Sequence, residues 1–227
     1  MRNKWWAKIL RIVGIVLMGL TAAFTLMGGA GTTCVALDPT GYGGKFAGIA
    51  PFHWLYILFV LVTLAIGVLG VRAVVLLIKC SPKAYSSALV ALIAGVVVGG
   101  FHMLVSRLLR GGSMPVDMVV YTTLLTLVVF LFFKLPPIWH GVNYEKPPGG
   151  EKISRNAVAI VLACIGALTL TIQFLMAPTH TFGGVNYADA WHVTLSLLGA
   201  GLVLAGAIAG VAKPSPNPRL PALKLRN

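Results

Sequence analysis

The chain has 227 residues, of which 58% are hydrophobic and 10% are charged, and its mean hydropathy is +0.90. This composition excludes a soluble globular domain, because too few polar residues remain to cover a water-exposed surface. The formal net charge of +13 would suit a nucleic-acid-binding protein, but the basic residues form no aromatic-interleaved patch, so we expect no nucleic-acid partner.

Six apolar runs are each long enough to cross a bilayer, which takes about 20 helical residues. They lie at residues 9–30, 54–78, 85–106, 116–134, 155–176 and 191–212. The sequence therefore predicts an all-α, multi-pass protein of the cell membrane. Residues 1–212 would form one six-helix transmembrane domain, and residues 213–227 a basic, proline-rich cytoplasmic tail.

The charges divide unequally between the two predicted membrane faces. The outer face carries three basic and three acidic residues, Lys45, Arg107, Arg110, Asp38, Asp117 and Asp189. All of the net charge then falls on the face that holds the amino terminus. The positive-inside rule therefore predicts that both termini are cytoplasmic and that the basic face lies against lipid headgroups.

Small residues spaced four apart predict which helices approach closely in lipid. Such ridges occur in the third run at Ala91, Gly95 and Gly99, in the fifth, and in the sixth at Gly206 and Gly210. We expect these three helices near the centre of the bundle.

Two of the outer connections resemble each other. Gly43-Gly44 precedes His53 at the head of the second run, and Gly183-Gly184 precedes His192 at the head of the sixth. These hairpins are either related by duplication or alike only in composition.

Four of the five histidines fall on the predicted outer face, together with three aspartates. His102 lies about one turn inside the hydrocarbon, where an imidazole needs a partner. Asp189 and His192 are three residues apart and would project from one side of a helix. Imidazole and carboxylate suit a transition metal, and two histidines from different helices suit haem b.

The sequence therefore predicts an outer metal or haem site. Its candidate ligands are His53, His102, Asp117, Asp189 and His192. Ordinary structural roles are an alternative to this prediction. Asp189 would cap the sixth helix, and Asp117 would interact favourably with the dipole of the fourth. His53 and His192, at the heads of their helices, each neighbour a tryptophan of the type found at the membrane interface.

A second candidate site precedes the fourth run. Arg107, Arg110 and Ser113 lie beside the start of that helix, where guanidinium groups and backbone N–H groups bind anions. Three occupants remain open: the phosphate of a bound lipid headgroup, an acidic partner such as Asp117, and a specific anionic substrate.

The three cysteines and the missing motifs exclude several enzyme classes. Cys34 falls outside, Cys80 inside and Cys164 within the fifth run, so no two are placed for a disulfide or a thiol-disulfide exchange site. The sequence holds no Walker loop, dinucleotide fingerprint or nucleophile elbow. We therefore expect a protein without catalytic residues.

Two functions fit these observations. The first is a non-catalytic membrane subunit, an anchor or scaffold of a larger membrane complex, redox-active or not, with partner membrane subunits or further copies of itself. The second is a transporter or channel for a small solute or ion, with an outer vestibule formed by arginine and histidine side chains.

Overall fold

The computed structural model describes residues 5–144, 150–176 and 180–212, so the predicted tail at 213–227 lies outside the described residues. Within these ranges the chain is almost entirely helical. The α-helices are α1 (Trp5–Leu37), α2 (His53–Ile78), α3 (Ala84–Arg110), α4 (Val116–Phe133), α5 (Pro136–Val142), α6 (Gly150–Met176), α7 (Tyr187–Ala190) and α8 (His192–Val211). A 3₁₀ helix, Ala47–Phe52, leads directly into α2.

Six of these helices, α1, α2, α3, α4, α6 and α8, are long and apolar enough to cross a membrane. This confirms the predicted all-α fold and the predicted number of helices that could span a membrane. We call the end of the bundle that holds the α1–α2, α3–α4 and α6–α8 connections the outer end.

The first span is longer than the sequence predicts, because α1 continues to Leu37. The run Gly28-Gly29-Ala30-Gly31 looks like a helix end in the sequence. In the structure Gly29 is buried, and a Cβ there would lie 3.1 Å from the Leu64 side chain on α2. Tight packing against α2 therefore keeps this glycine-rich segment helical.

The two outer hairpins that resemble each other turn in the same way. Gly43 and Gly44 have φ angles of 59° and 83°, and Gly183 and Gly184 have φ angles of 58° and 79°. Glycine adopts this left-handed conformation at no steric cost. The second turn also closes a short antiparallel pair, β1 (Thr181–Phe182) with β2 (Val185–Asn186), which the sequence did not predict.

The centre of the bundle is α1, and the expectation that the third, fifth and sixth spans are central is wrong. Half of the α1 span is buried inside the chain, against 11% of the α8 span. The glycines of α1 explain the difference, because they lie on several sides of the helix: Gly19 faces Val161 of α6, Gly28 faces Val119 of α4, and Gly29 faces α2. Close approach is thus possible around most of the circumference of α1.

A buried arginine fixes α1 at the opposite end of the bundle. Arg11 is only 2% exposed, its guanidinium lies 5.1 Å from the centre of the Tyr144 ring, and it donates a hydrogen bond to the Asn143 carbonyl oxygen at 3.0 Å. Burial raises the pKa of the Tyr144 phenol, so that ring stays neutral beneath the cation. These contacts join α1 to the segment that follows α5.

Candidate functional site

His102 lies on α3 near the outer end, where aromatic rings surround it. The residue is 4% exposed, its imidazole stacks on Phe59 with 4.3 Å between ring centroids, and the edge of Tyr56 lies at 5.2 Å. The Tyr56 hydroxyl bonds Ser106 at 2.8 Å rather than the imidazole. Nε2 of His102 has no hydrogen-bond partner among the described protein atoms.

A small cavity lies beside this imidazole. It has a volume of about 30 Å³ and is lined by residues of α1, α2, α3 and α4, including His102, Thr25, Thr32 and Thr123. Each of these threonines donates its hydroxyl proton to a backbone carbonyl of its own helix, at 2.6–2.7 Å. Their oxygen lone pairs remain available to a guest, and the volume suffices for a water molecule.

The two outer arginines are bonded within their own hairpin. Arg107 donates to Ser113 at 2.9 Å and to Asp117 at 3.2 Å. Arg110 donates to the Met114 carbonyl oxygen at 2.6 Å, and its guanidinium lies 5.0 Å from the Phe46 ring centre. Of the three occupants left open by the sequence, the acidic partner Asp117 is the one that contacts Arg107 here.

The remaining candidate ligands lie on the exposed rim of the outer end. His53 Nδ1 lies 3.1 Å from the Ala50 carbonyl oxygen, and Asp189 accepts a hydrogen bond from Asn186 at 2.9 Å. His192 is the first residue of α8. The expected capping role of Asp189 is wrong, because Asn186 caps α7 and the residue before α8 is Trp191, whose side chain makes no cap bond.

The structure does not gather the five candidate ligands into one site. His102 lies on α3, which packs mainly against α2 and α4, whereas His192 lies on α8, which packs mainly against α6. Within residues 5–144, 150–176 and 180–212, no group of three or more histidine, cysteine or carboxylate side chains is placed to hold a metal ion. The central helix α1 occupies the space between these two parts of the bundle.

A larger cavity, which the sequence did not reveal, opens between α1, α6 and α8. This outer recess has a volume of about 400 Å³ and includes Cys34, His180, Tyr187 and Trp191 among its lining residues. Its only sequence signals were a cysteine and a tryptophan near the ends of different spans. Next to His180 in the chain, the Thr181 carbonyl oxygen accepts a hydrogen bond from the Tyr42 hydroxyl at 2.5 Å.

Fold and hydropathy together indicate the class of multi-pass α-helical membrane proteins, because six helices are long and apolar enough to cross a bilayer. Comparisons with protein-family models, with curated proteins and with solved structures each gave no match for this chain.

Proposed function

We propose that the protein is a non-catalytic integral subunit, a six-helix scaffold that joins a larger membrane assembly through α8. The observation that carries this proposal is the position of α8. It packs mainly against α6, and only 11% of its span is buried inside the chain. A helix at the periphery of a bundle is available to a neighbouring subunit.

The exposed side of α8 has the chemistry of a helix-packing surface. Gly199 and Gly206 face α6, but Gly201 and Ala205 are exposed, and a Cβ at Gly201 would meet nothing within 4 Å. Glycine inside a helix costs about 1 kcal/mol relative to alanine. A close contact with a helix of another chain would offset that cost, since small residues four apart let helix backbones approach in lipid.

We also propose that both termini lie on the cytoplasmic side of the cell membrane. The basic residues Lys8, Lys79, Lys83 and Lys134 lie at or near the inner ends of the spans, whereas the outer arginine Arg107 is paired with an acid. This distribution follows the positive-inside rule.

The predicted metal or haem site stays a prediction and now needs a second chain. His53, Asp189 and His192 are exposed at the outer end, so a neighbouring subunit would have to supply further ligands. The alternative of a transporter with an Arg/His vestibule gains no support from the contacts, because Arg107 and Arg110 bond their own hairpin and the His102 side chain is buried.

Native membranes provide the test of the scaffold proposal. The tagged protein, extracted in mild detergent, should migrate as an assembly of fixed stoichiometry with other membrane chains or with further copies of itself. Gly201→Leu should dissociate this assembly because it blocks close approach. Ala200→Leu is the matched control, since Ala200 is also exposed but points to another side of α8.

Either of two results would overturn the proposal. One is a wild-type chain that migrates alone in every mild detergent and produces solute flux in reconstituted vesicles, which would favour the transporter. The other is equal loss of the assembly in Gly201→Leu and Ala200→Leu.

A further inference from the structure

The outer recess has a polarity gradient along the membrane normal. Met27, Leu195 and Leu198 line its deeper part, and Cys34, Tyr187 and Trp191 lie towards its outer end. The wall on α1 runs from Met27 to Cys34, and the opposite wall runs from Leu198 on α8 to Trp191 just before that helix, so each covers seven helical steps. This corresponds to a depth of about 10 Å at the helical rise per residue. An apolar base below a polar rim matches an amphiphile whose head points outwards.

The lining restricts the charge of that head. Among the described residues that line the recess, none is a lysine, arginine, aspartate or glutamate. A phosphate or carboxylate head would therefore find neither lysine nor arginine in this lining to offset a loss of hydration. The rim offers uncharged donors instead, the indole N–H of Trp191 and the hydroxyl of Tyr187. A ligand head that fits these groups is uncharged and accepts hydrogen bonds.

The rim also favours a flat head and a single tail. Tyr187, Trp191 and His180 supply aromatic rings from three different segments, and such rings pack best against another planar ring. Helices α1, α6 and α8 border the recess, whose volume of about 400 Å³ lies in the range of small-ligand sites. A ring and the first part of one chain fill such a space, and the rest of the tail continues into lipid.

We propose that the outer recess binds a membrane quinone, an uncharged carbonyl-bearing ring on one isoprenoid tail. This proposal does not depend on the scaffold proposal, because it concerns the side of the chain where α1, α6 and α8 meet. Cys34 lines the recess and reports its occupancy, while Cys80 lies at the other end of the bundle as an internal reference.

The test uses the full-length protein in phosphatidylcholine vesicles with a short-chain ubiquinone as the probe. Alkylation of Cys34 by a membrane-permeant maleimide should slow saturably, by about tenfold when the quinone reaches ten times its dissociation constant. The alkylation rate of Cys80 should not change. Ala30→Phe, which fills the recess from its exposed α1 wall, should abolish the protection of Cys34, whereas Ala200→Phe, exposed but outside the recess, should retain it.

A second measurement needs no recess-filling variant. The quinone should quench tryptophan fluorescence saturably, and this component should disappear in Trp191→Phe and persist in Trp54→Phe. These two tryptophans are 57% and 59% exposed, so they form a matched pair. Quenching that is equal in both variants, or unprotected Cys34, would refute the proposal. Equal protection of Cys34 by dioleoylglycerol would also refute it, because the recess would then be a groove for neutral lipids in general.

Discussion

Alanine substitutions at two glycines of α8 should change stability in opposite directions. In Gly206→Ala the new Cβ would lie 2.8 Å from the Ala159 carbonyl oxygen and 3.0 Å from the Ala163 nitrogen, both backbone atoms of α6. Backbone cannot move aside as a side chain can, so we expect an overpacking cost of about 1–3 kcal/mol. The higher helix propensity of alanine offsets about 1 kcal/mol of that cost. The net result is a destabilisation of about 0–2 kcal/mol, with a central value of about 1 kcal/mol.

Gly201→Ala makes the same chemical change five residues away in open space. No overpacking occurs there, and only the higher helix propensity of alanine contributes, so this variant should be about 0.5–1 kcal/mol more stable than wild type. The two variants should therefore differ by about 2 kcal/mol, or roughly thirtyfold in the unfolding equilibrium constant.

Unfolding in mixed detergent micelles, titrated with a denaturing detergent and followed by circular dichroism, measures this difference. The chain is separated from any partner under these conditions, so contacts of Gly201 with other subunits do not contribute. If Gly206→Ala proves as stable as Gly201→Ala, then α8 does not approach α6 as closely as the structure shows, and the packing argument for both helices is wrong.

Three further predictions concern other parts of the chain. Burial raises the pKa of the Tyr42 phenol to about 12, so phenolate absorbance should show a tyrosine titration near pH 12 that is lost in Tyr42→Phe. The neutral Tyr42 phenol should contribute fully to the stability of the fold below about pH 10. That contribution should disappear as the pH rises through 12. Thr126→Val removes the buried bond of 2.7 Å between α4 and α1 and should cost about 1 kcal/mol in the same unfolding assay, whereas Thr122→Val, half-buried and with its hydroxyl bonded within α4, should cost less. A membrane-impermeant thiol reagent applied outside intact cells should label Cys34 and spare Cys80, and the opposite pattern would reverse the proposed topology.

Hydropathy predicted the number of spans because crossing a bilayer sets a minimum length of apolar helix. It did not predict which span lies at the centre. The small residues at Gly206 and Gly210 were correctly recognised as a packing ridge, yet they face α6 alone. The centrality of α1 depends on glycines that face different neighbours, and that property exists only once the neighbours are in place.

The candidate site was predictable only where its contacts are local. Arg107 and Asp117 are ten residues apart across one turn, and their pairing was among the options read from the sequence. The need of His102 for a partner was also foreseen, but its surroundings come from α2, in the form of the Phe59 and Tyr56 rings. By sequence Arg11 belongs to the basic face that holds the amino terminus, whereas its burial requires the ring of Tyr144, which is distant in sequence.

The two hairpins that resemble each other show where local sequence signals stop determining structure. Each glycine pair produces the same left-handed turn, and each is followed by a short helix and then by His53 or His192 at the start of a span.

The spans that follow the two turns pack against different neighbours. Gly67 on α2 faces the Leu26 side chain, whereas Gly206 at the corresponding distance from its histidine faces the backbone of α6. The first hairpin is enclosed by α3 and α4, and the second leaves α8 at the edge of the bundle. The two turns have the same conformation, but the helices around them differ. One hairpin therefore helps to build the core, whereas the other supplies the face of α8 that we assign to a partner.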